Sequence, residues 1–265
     1  MTIMKFTNKV LCAALVTLAL ALFACAAESD SQDTTADLDG LARAQVVTKC
    51  TVPGTAALTF DDGPSVYLQE LSDTLVAAGV KATFFVNGQN YDCIYNSGPA
   101  QRLKHAYDAG HQVASHTWSH AHLTQLGKDQ LDAEFGRTEE AIHRITGAAP
   151  AFTRPPYGEY NALVLDVAAA HRQTLVTWDF DSGDTTGKTA AESNEAYDEL
   201  AARHPSTILA LNHDVKEQTV RVVVPHAIFT LQKAGYKLVT LAECLGREAY
   251  LDAGAAGARD AQWRC

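Results

Sequence analysis

The stretch LTFDDGPS, residues 58–65, joins an apolar run to a glycine-proline turn through two adjacent carboxylates, Asp61 and Asp62. These side chains repel each other when both are ionised, so their position directly after a predicted strand calls for a reason. One reason is structural, because Asp and Gly are favoured in turns. The other is chemical, because a bound cation neutralises one carboxylate and tolerates the second one beside it. The rest of the chain decides between the two.

Short β-rich runs alternate with longer helical patterns on both sides of this stretch. Helical spacing of apolar residues, ended by a glycine, predicts helices over residues 67–79, 128–147 and 219–235. Strands are predicted over residues 56–60, 82–86, 112–116, 151–154, 174–178, 207–211 and 236–240. Seven strands alternating with helices indicate an α/β fold, in which a parallel sheet with right-handed crossovers is either open or closed into a barrel.

Ionisable side chains lie at the ends of five of these predicted strands. Asp61 and Asp62 follow the first strand, His116 ends the third, Arg154 ends the fourth, and the runs DFDSGD (179–184) and NHD (212–214) follow the fifth and sixth. Functional sites of parallel α/β folds are built at the carboxyl ends of strands. We therefore expect these residues to meet on one face of the sheet.

The run HTWSH places His116 and His120 four residues apart. On one helical turn such residues share a face, so both imidazoles reach the same cation. Alone the spacing is a weak signal, and it is also typical of histidines at the surface of a helix. With Asp62 as a third ligand, the set leaves one tetrahedral position open, as catalytic metal sites do. Asp61 then stays unligated and takes a proton from water, whose pKa a metal lowers from ~16 toward ~7.

Composition and charge limit the class of protein. Apolar residues make up 47% of the 265 residues and charged residues 20%, as in globular proteins. A net charge of −10 argues against nucleic acid as a partner. Residues 1–26 have a basic start and a short apolar core, which predict a targeting segment. It ends either at a signal-peptidase site or before Cys25, as a bacterial lipoprotein signal that would anchor the chain to lipid.

Residues 27–48 are polar and acidic and predict a flexible linker, and residues 49–265 are expected to form one domain. Both interpretations of the targeting segment place this domain outside the cytoplasm, either secreted or anchored to the membrane. Four cysteines lie beyond the targeting segment: Cys50, Cys93, Cys244 and Cys265. An exported chain with four cysteines suggests two disulfides, for which three pairings exist. No C-x-x-C pair supports a structural zinc site.

Five runs occur in the order and spacing of the motifs of a known family: TFDDGP, SHTWSH, RPPYG, WDFDSGD and LALNHD. From about residue 51 to residue 246 the chain resembles the polysaccharide deacetylases, carbohydrate esterase family 4. Runs such as GHQVASHTWSH and LVTLAECLG look most like fungal-type chitin deacetylases. The resemblance implies a distorted barrel of fewer than eight strands, which agrees with the seven predicted here. It also implies the disulfide Cys50–Cys244, for which fungal-type members carry cysteines at both places, and Cys93 and Cys265 then pair by elimination.

The resemblance also implies a role for each matching residue. Asp61 is expected to be the catalytic base, and the metal ligands, for Zn²⁺ or Co²⁺, are expected to be Asp62, His116 and His120. Arg154 would orient Asp61 and keep it ionised, and the backbone N–H of Tyr157 would bind the oxyanion. His213 would protonate the leaving amine with support from Asp184, and Leu211 would line the pocket for the acetyl methyl. Thr185 departs from the aromatic residue common in the family, and Asp179 and Asp181 are interpreted as loop caps.

The implied activity is the removal of N-acetyl groups from N-acetylglucosamine units of chitin or chito-oligosaccharides by a monomeric enzyme. Peptidoglycan is the alternative polymer, since a lipid-anchored bacterial protein would lie near its own wall. A carbohydrate-binding protein without activity is a second hypothesis, although such a protein should have lost the base or a ligand. A small-molecule amidase is a third, because fold does not fix substrate.

Overall fold

The computed structural model describes residues 42–265, which form an α/β domain around one large parallel sheet. The targeting segment and most of the predicted linker lie outside the described residues. The strands are β1 (Val46–Val47), β2 (Thr55–Gly63), β3 (Thr83–Val86), β4 (Gln112–Ser115), β5 (Ala148–Pro150), β6 (Phe152–Thr153), β7 (Thr174–Val176), β8 (Phe180–Asp181), β9 (Ile208–His213), β10 (Lys237–Leu238) and β11 (Tyr250–Ala253). The helices are α1 (Leu68–Ala77), α2 (Ser97–Asp108), α3 (Lys128–Thr146), α4 (Ala162–Ala170), α5 (Ala190–Arg203), α6 (Val224–Lys233) and α7 (Leu241–Leu245).

All seven predicted strands are present, as β2, β3, β4, β6, β7, β9 and β10. The order in the sheet is β1-β7-β6-β4-β3-β2-β9-β8, with β10 paired to the start of β2, and every neighbour is parallel. The sheet curls into a distorted, incomplete barrel, as expected. The two-residue strands β1 and β8 extend the sheet beyond the prediction, and β5 and β11 form a separate antiparallel pair.

Strand β1 lies within the range that the sequence assigned to the flexible linker. Val46 and Val47 pair with Leu175 and Val176 of β7, so the end of that range belongs to the sheet. The parallel pairing adds an edge strand that brings the chain back beside the core. The linker composition gave no sign of it, because two residues cannot show an alternating pattern.

Glycines follow all three predicted helices close to where the sequence placed the stops, with Gly235 after α6 at φ 90°. Gly147 caps α3 with φ 85°, and Gly79 follows α1 with φ 69°. Both lie in the left-handed region, which glycine adopts without steric cost. The predicted helix from Thr219 begins differently, because Thr219–Val223 form a wider π-helical turn before α6 starts at Val224. Helices α2, α4, α5 and α7 were not among the predicted ones.

The period of two along each strand separates the two faces of the sheet. One face packs against α1, α2, α3, α5 and α6 and forms the larger core. The other face contributes one buried apolar residue from each of six strands to a core closed by α7: Ala57, Phe85, Ala114, Phe152, Val176 and Leu209. These six residues form an apolar layer, which we call the floor. The polar residues of the same face lie beyond it, toward the carboxyl ends of the strands.

Two disulfides tie distant parts of the chain together, in the predicted pairing. Cys50–Cys244 joins the segment before β2 to α7 with a Cα–Cα distance of 5.2 Å, and Cys93–Cys265 joins the loop after β3 to the last residue of the sequence at 5.9 Å. The bridges span 194 and 172 residues, for which the chain-entropy model gives about 4–5 kcal/mol each, less any strain. Disulfides of this kind persist in oxidising, extracytoplasmic compartments. In the described part of the chain, no helix has the length and hydropathy to cross a membrane.

Candidate active site and metal centre

Five of the predicted site residues lie two or four positions after one of the buried apolar residues of the floor: Asp61, His116, Arg154, Leu211 and His213. Ala57 is followed by Thr59 and Asp61, and Leu209 by Leu211 and His213. Parallel pairing of β2 with β9 sets Thr59 beside Leu211 and Asp61 beside His213. With the same spacing of two residues, His116 follows Ala114 and Arg154 follows Phe152. Strand alternation therefore carries these side chains to the carboxyl edge of one face, as the sequence predicted.

Three potential metal ligands converge at this edge. One ligand atom from each of Asp62, His116 and His120 lies within 4.8 Å of the others. Asp62 Oδ1 is 3.5 Å from His116 Nε2 and 3.3 Å from His120 Nε2. Asp62 Oδ1 is also buried without a hydrogen-bond partner among the described residues. An orphaned carboxylate oxygen facing two imidazole nitrogens fits a divalent cation, and this donor set suits zinc.

The two histidines reach this point by a route different from the predicted one. His116 directly follows β4, and His120 lies in an irregular loop with φ 58°. The helical turn expected for HTWSH is therefore wrong, since the segment is not helical. The imidazoles still meet, with ring centroids 5.0 Å apart, because the loop reverses through left-handed residues. Asp62 also has a positive φ, 73°. Backbone strain in non-glycine residues is often found at functional sites.

Neighbouring backbone groups fix the orientation of His116. Its Nδ1 lies 2.8 Å from the carbonyl oxygen of Arg154, so Nδ1 carries the proton that it donates. The lone pair is then on Nε2, which faces Asp62 and His120. Burial lowers the pKa of His116 to about 3, so the ring is neutral, the form in which histidine binds a metal.

Asp61 forms a buried ion pair with Arg154 beside the ligand cluster. Arg154 Nη1 donates to Asp61 Oδ1 at 2.8 Å, and both side chains are almost completely buried. Burial raises the pKa of Asp61, and the guanidinium of Arg154 opposes that rise without cancelling it. The ion pair thus acts in the predicted direction, toward the ionised carboxylate. Asp61 Oδ2 is 3.7 Å from His116 Nε2 and remains close to the cluster.

Arg154 is held by groups for which the sequence predicted no role. Its Nη1 donates to Thr59 Oγ1 at 2.6 Å and its Nη2 to the carbonyl of Thr177 at 2.9 Å. Its guanidinium carbon lies 4.2 Å from the centroid of the Phe85 ring. These contacts fix the planar guanidinium on the floor of the site, so Arg154 presents Asp61 in one orientation.

His213 and Asp184 form a second acid-base pair. His213 Nδ1 is 2.8 Å from Asp184 Oδ1, and the backbone N–H of His213 donates to Asp184 Oδ2 at 2.8 Å. The hydroxyl of Thr219 donates to the same oxygen at 2.7 Å. Burial alone would lower the pKa of His213, but the hydrogen bond to Asp184 and the nearby carboxylates raise it above its usual value. These contacts therefore favour the protonated form of His213.

Asp214 supports the DDGP turn through hydrogen bonds to Ser65, the residue that follows the turn. Its buried carboxylate accepts a hydrogen bond from the backbone N–H of Ser65 at 3.3 Å, and Ser65 Oγ donates to its carbonyl at 2.8 Å. A Cβ atom at Gly63 would lie 2.6 Å from Asp214 Oδ2, so glycine is required there. Burial raises the pKa of Asp214 to about 7. The run NHD includes Asp214, but no role was predicted for it.

The three ligands, Asp61 and His213 line a cleft of about 490 Å³. Tyr157 and Leu211 line it, as expected, and Tyr157 has φ 60° and stacks on His122 with ring centroids 4.1 Å apart. Trp178, Thr185 and Thr186 complete one wall. The remaining lining residues were not among the predicted site residues: Tyr91, Pro155, Asp181 and Lys216. Tyr91 is 66% exposed, in a loop without a motif, so no sequence signal marked it.

The two acidic residues interpreted as loop caps do bind backbone. Asp179 Oδ1 accepts from the N–H of Leu209 at 2.7 Å, and Asp181 Oδ1 accepts from the N–H of Gly183 at 2.8 Å. Asp181 differs in that it also lines the cleft. Neither residue approaches the ligand cluster as Asp61 does.

Fold and site together define a hydrolase-like α/β barrel with one candidate catalytic metal centre, and comparison with known proteins gives the family. Residues 48–176 match the model of the polysaccharide deacetylase family. A chitin deacetylase of a Pestalotiopsis species is 40% identical over 206 residues, which cover 76% of this chain and 67% of that protein. The chain belongs to the polysaccharide deacetylase family and is a hydrolase of carbon–nitrogen bonds other than peptide bonds.

Two further relatives describe the range of the similarity. The structure of the chitin deacetylase from the fungal pathogen Colletotrichum lindemuthianum superposes with a TM-score of 0.74 at 32% identity, covering 78% of this chain and 94% of that one. A protein of Arthroderma benhamiae described as a probable peptidoglycan-N-acetylglucosamine deacetylase is 36% identical over 207 residues, covering 76% of this chain and 46% of that protein. The similarity thus extends over the described domain.

Proposed function

We propose that this chain removes N-acetyl groups from N-acetylglucosamine units of chitin or chito-oligosaccharides and releases acetate. The observation that carries the proposal is the meeting of Asp62, His116 and His120 with Asp61 and His213 in one cleft. A metal ligand set, a buried carboxylate and a carboxylate-supported histidine are the parts needed to hydrolyse an amide. The similarity to the chitin deacetylases of Pestalotiopsis and Colletotrichum supports chitin as the polymer.

The ligand set favours zinc, with cobalt as a substitute. Two imidazole nitrogens and one carboxylate oxygen leave a tetrahedral ion with an open position. A cation bound there would polarise the amide carbonyl and lower the pKa of water. The neutral His116 and the orphaned Oδ1 of Asp62 are suited to hold it.

The residues around the cluster divide the proton transfers between them. Asp61, oriented by Arg154, accepts a proton from the attacking water, whose oxygen bonds to the acetyl carbon. The backbone N–H of Tyr157 donates a hydrogen bond to the developing oxyanion. His213, supported by Asp184, donates a proton to the nitrogen as the carbon–nitrogen bond breaks, so the products are the free amine and acetate.

Leu211 and the exposed rim of the cleft set what can bind. Leu211 is 5% exposed and lines the cleft, in reach of a small apolar group such as the acetyl methyl. Tyr91 and Tyr157 are 66% and 54% exposed on the rim, where aromatic faces can pack on sugar rings. A rim of this kind favours a polymer over a small amide, and the full set of acid-base groups and ligands argues against a protein that only binds.

Peptidoglycan remains the second candidate polymer, supported by the name of the Arthroderma relative. Two disulfides support an extracytoplasmic location, where either polymer would be met. Within this proposal, residues 1–26 direct export, and Cys25 anchors the chain if the signal is of the lipoprotein type. The enzyme acts as a monomer.

Acetate release from the two polymers tests the substrate directly. We expect the zinc-loaded protein to release acetate from chitin hexamer faster than from purified peptidoglycan at equal content of N-acetylglucosamine, because the chain is 40% identical to the Pestalotiopsis chitin deacetylase and 36% identical to the Arthroderma protein. Faster release from peptidoglycan would reverse the order of the two candidates. Binding of both polymers with no release from either would contradict the enzymatic proposal.

Replacing Asp184 by Asn should move the alkaline limb of the rate–pH profile toward lower pH. Asp184 contributes to the raised pKa of His213, and the neutral amide would remove that contribution, so His213 would lose its proton at lower pH. The rate needs protonated His213, so activity would fall earlier as pH rises. The measurement is kcat against pH for the metal-loaded protein.

Asp181→Asn is the matched control for that variant. Asp181 lines the same cleft but makes no contact with His213. We expect its alkaline limb to coincide with that of the unmodified chain. An unchanged limb in Asp184→Asn, or an equal displacement in both variants, would contradict the assignment of His213 as the proton donor.

A further inference from the structure

We propose that Glu134, on α3, is a positioning residue for the metal ligand His120 and acts through Ser119. This inference rests on the proposed metal centre and concerns how the chain holds its ligand loop. The segment from His116 to His120 is irregular, although it carries two of the three ligands. Something outside the segment must therefore fix its shape.

The ligand loop, residues 116–120, has a strained backbone. Thr117 has φ 65° and His120 has φ 58°, and neither is glycine. Residues with a Cβ atom enter this region only when surrounding contacts hold them there. An unsupported loop would relax and move the imidazole of His120 away from Asp62. The contacts that oppose this relaxation are on two sides of the loop.

The segment after β3 holds the first side of the loop. Asn87 Nδ2 donates to the carbonyl of His116 at 2.6 Å and to that of Thr117 at 3.1 Å. The backbone N–H of Gln89 donates to the carbonyl of Trp118 at 2.7 Å. These bonds fix the loop up to Trp118. They do not reach Ser119, the residue directly before His120.

Glu134 holds the second side of the loop, at Ser119. Its Oε2 accepts from the backbone N–H of Ser119 at 2.9 Å, and its Oε1 accepts from Ser119 Oγ at 2.6 Å. One turn along α3, the guanidinium carbon of Arg137 lies 3.9 Å from the centroid of the Trp118 ring. Helix α3 thus contacts both residues that precede His120, Trp118 and Ser119. A bidentate carboxylate fixes direction as well as distance.

The environment of Glu134 indicates that its role is to bind Ser119. The residue is 9% exposed, yet no Lys, Arg or His nitrogen of the described chain lies within 4.0 Å of its carboxylate. Among the described residues, both hydrogen bonds that its carboxylate accepts come from Ser119, one from the backbone N–H and one from the hydroxyl. A buried carboxylate without a counter-charge is costly, and an apolar residue on this helix face would pack more favourably. Its retention is explained if the loop needs two acceptors at this position.

Zinc affinity, measured by competition with a chromophoric chelator, tests the inference without any substrate. Outer partners of metal ligands change metal affinity by about 10- to 100-fold when removed. We expect Glu134→Ala to weaken zinc binding by about that factor and to alter the visible absorption of the cobalt-loaded protein. Glu134→Gln should restore most of the affinity, because its amide can accept from the N–H of Ser119 and donate to its hydroxyl.

Glu139→Ala is the matched control. Glu139 lies on the same helix and bonds His171 and Gln173, away from the ligand loop. We expect it to keep the zinc affinity of the unmodified chain, even if its unfolding temperature falls. Ser119→Ala removes only one of the two bonds and serves if Glu134→Ala does not fold; its affinity should fall less, in the same direction. Unchanged affinity in Glu134→Ala and Ser119→Ala, or an equal loss in Glu139→Ala, would overturn the inference.

These outcomes are independent of the substrate proposal. If the unmodified chain binds zinc but releases acetate from no polysaccharide, the proposed function fails while the comparison of affinities still decides the role of Glu134. If the unmodified chain binds no zinc at all, both fail together, and Glu134 has no ligand loop to position.

Discussion

Removal of metal by a chelator is expected to abolish acetate release, and zinc or cobalt added to the stripped protein should restore it. Asp62, His116 and His120 bring three donors together, and Asp62 Oδ1 has no hydrogen-bond partner among the described residues. Without a cation, nothing on the cleft wall lowers the pKa of water toward neutrality. The measurement is acetate released per minute before treatment, after dialysis against chelator, and after metal is returned.

Replacement of one ligand separates binding from catalysis. His120→Ala should bind zinc far more weakly than the unmodified chain and should lose activity at zinc concentrations that saturate the latter. His105→Ala is the control, because His105 pairs with Asp73 on the surface, outside the cluster. It should keep both zinc affinity and rate. Full activity in protein shown to be free of metal would refute the assignment of the centre.

The sheet could be predicted from the sequence because its strands carry strong local signals. Strands β2, β3, β4 and β9 are rich in β-forming residues, and glycine or a polar residue ends each strand or directly follows it, so each was located within a few positions. Strands β1 and β8 have two residues each and form only because a neighbouring strand offers a partner. Such pairing depends on the folded sheet, and no periodicity along the chain records it.

The site could be predicted because strand alternation sends consecutive motif residues to one edge. Asp61 and His213 belong to separate motifs, and parallel pairing of β2 with β9 sets them side by side. The spacing of His116 and His120 correctly predicted that their imidazoles lie close together, but the helical turn expected to bring them together is not formed. Convergence comes from a loop with left-handed residues, and a helix is absent from this segment.

The supporting residues could not be predicted, since their contacts join distant parts of the chain. Thr59 meets Arg154 across 95 positions, and Glu134 meets Ser119 from the middle of a helix whose charges otherwise face solvent or neighbouring helices. Thr59 begins the run TFDDGP but had no predicted role there, and Glu134 lies in none of the five motifs. Thr59 and Glu134 stand out only because they are buried next to site residues. That burial follows from the packing of α3 and the sheet, which the sequence does not show directly.

Replacing Asp61 by Asn should remove most of the turnover while leaving zinc bound. The amide is close in shape to the carboxylate and can still accept the hydrogen bond from Arg154, but it cannot take a proton from water. General-base catalysis contributes typically about 10²- to 10⁴-fold, so kcat should fall within that range. Asp61 is outside the ligand cluster, so zinc affinity should stay near that of the unmodified chain.

The variant also leaves a buried cation without its counter-charge, which must be separated from the loss of catalysis. Arg154 is fully buried, and breaking a buried pair by removing one partner typically costs about 3–5 kcal/mol. Rates are therefore compared below the unfolding transition, with the folded fraction measured by circular dichroism. Asp62→Asn is the matched variant at the adjacent position, and it should lose zinc affinity because the ligand oxygen loses its charge. If Asp61→Asn lost zinc while Asp62→Asn kept it, the adjacent carboxylates would have exchanged roles, and Asp62 would be the residue that accepts the proton.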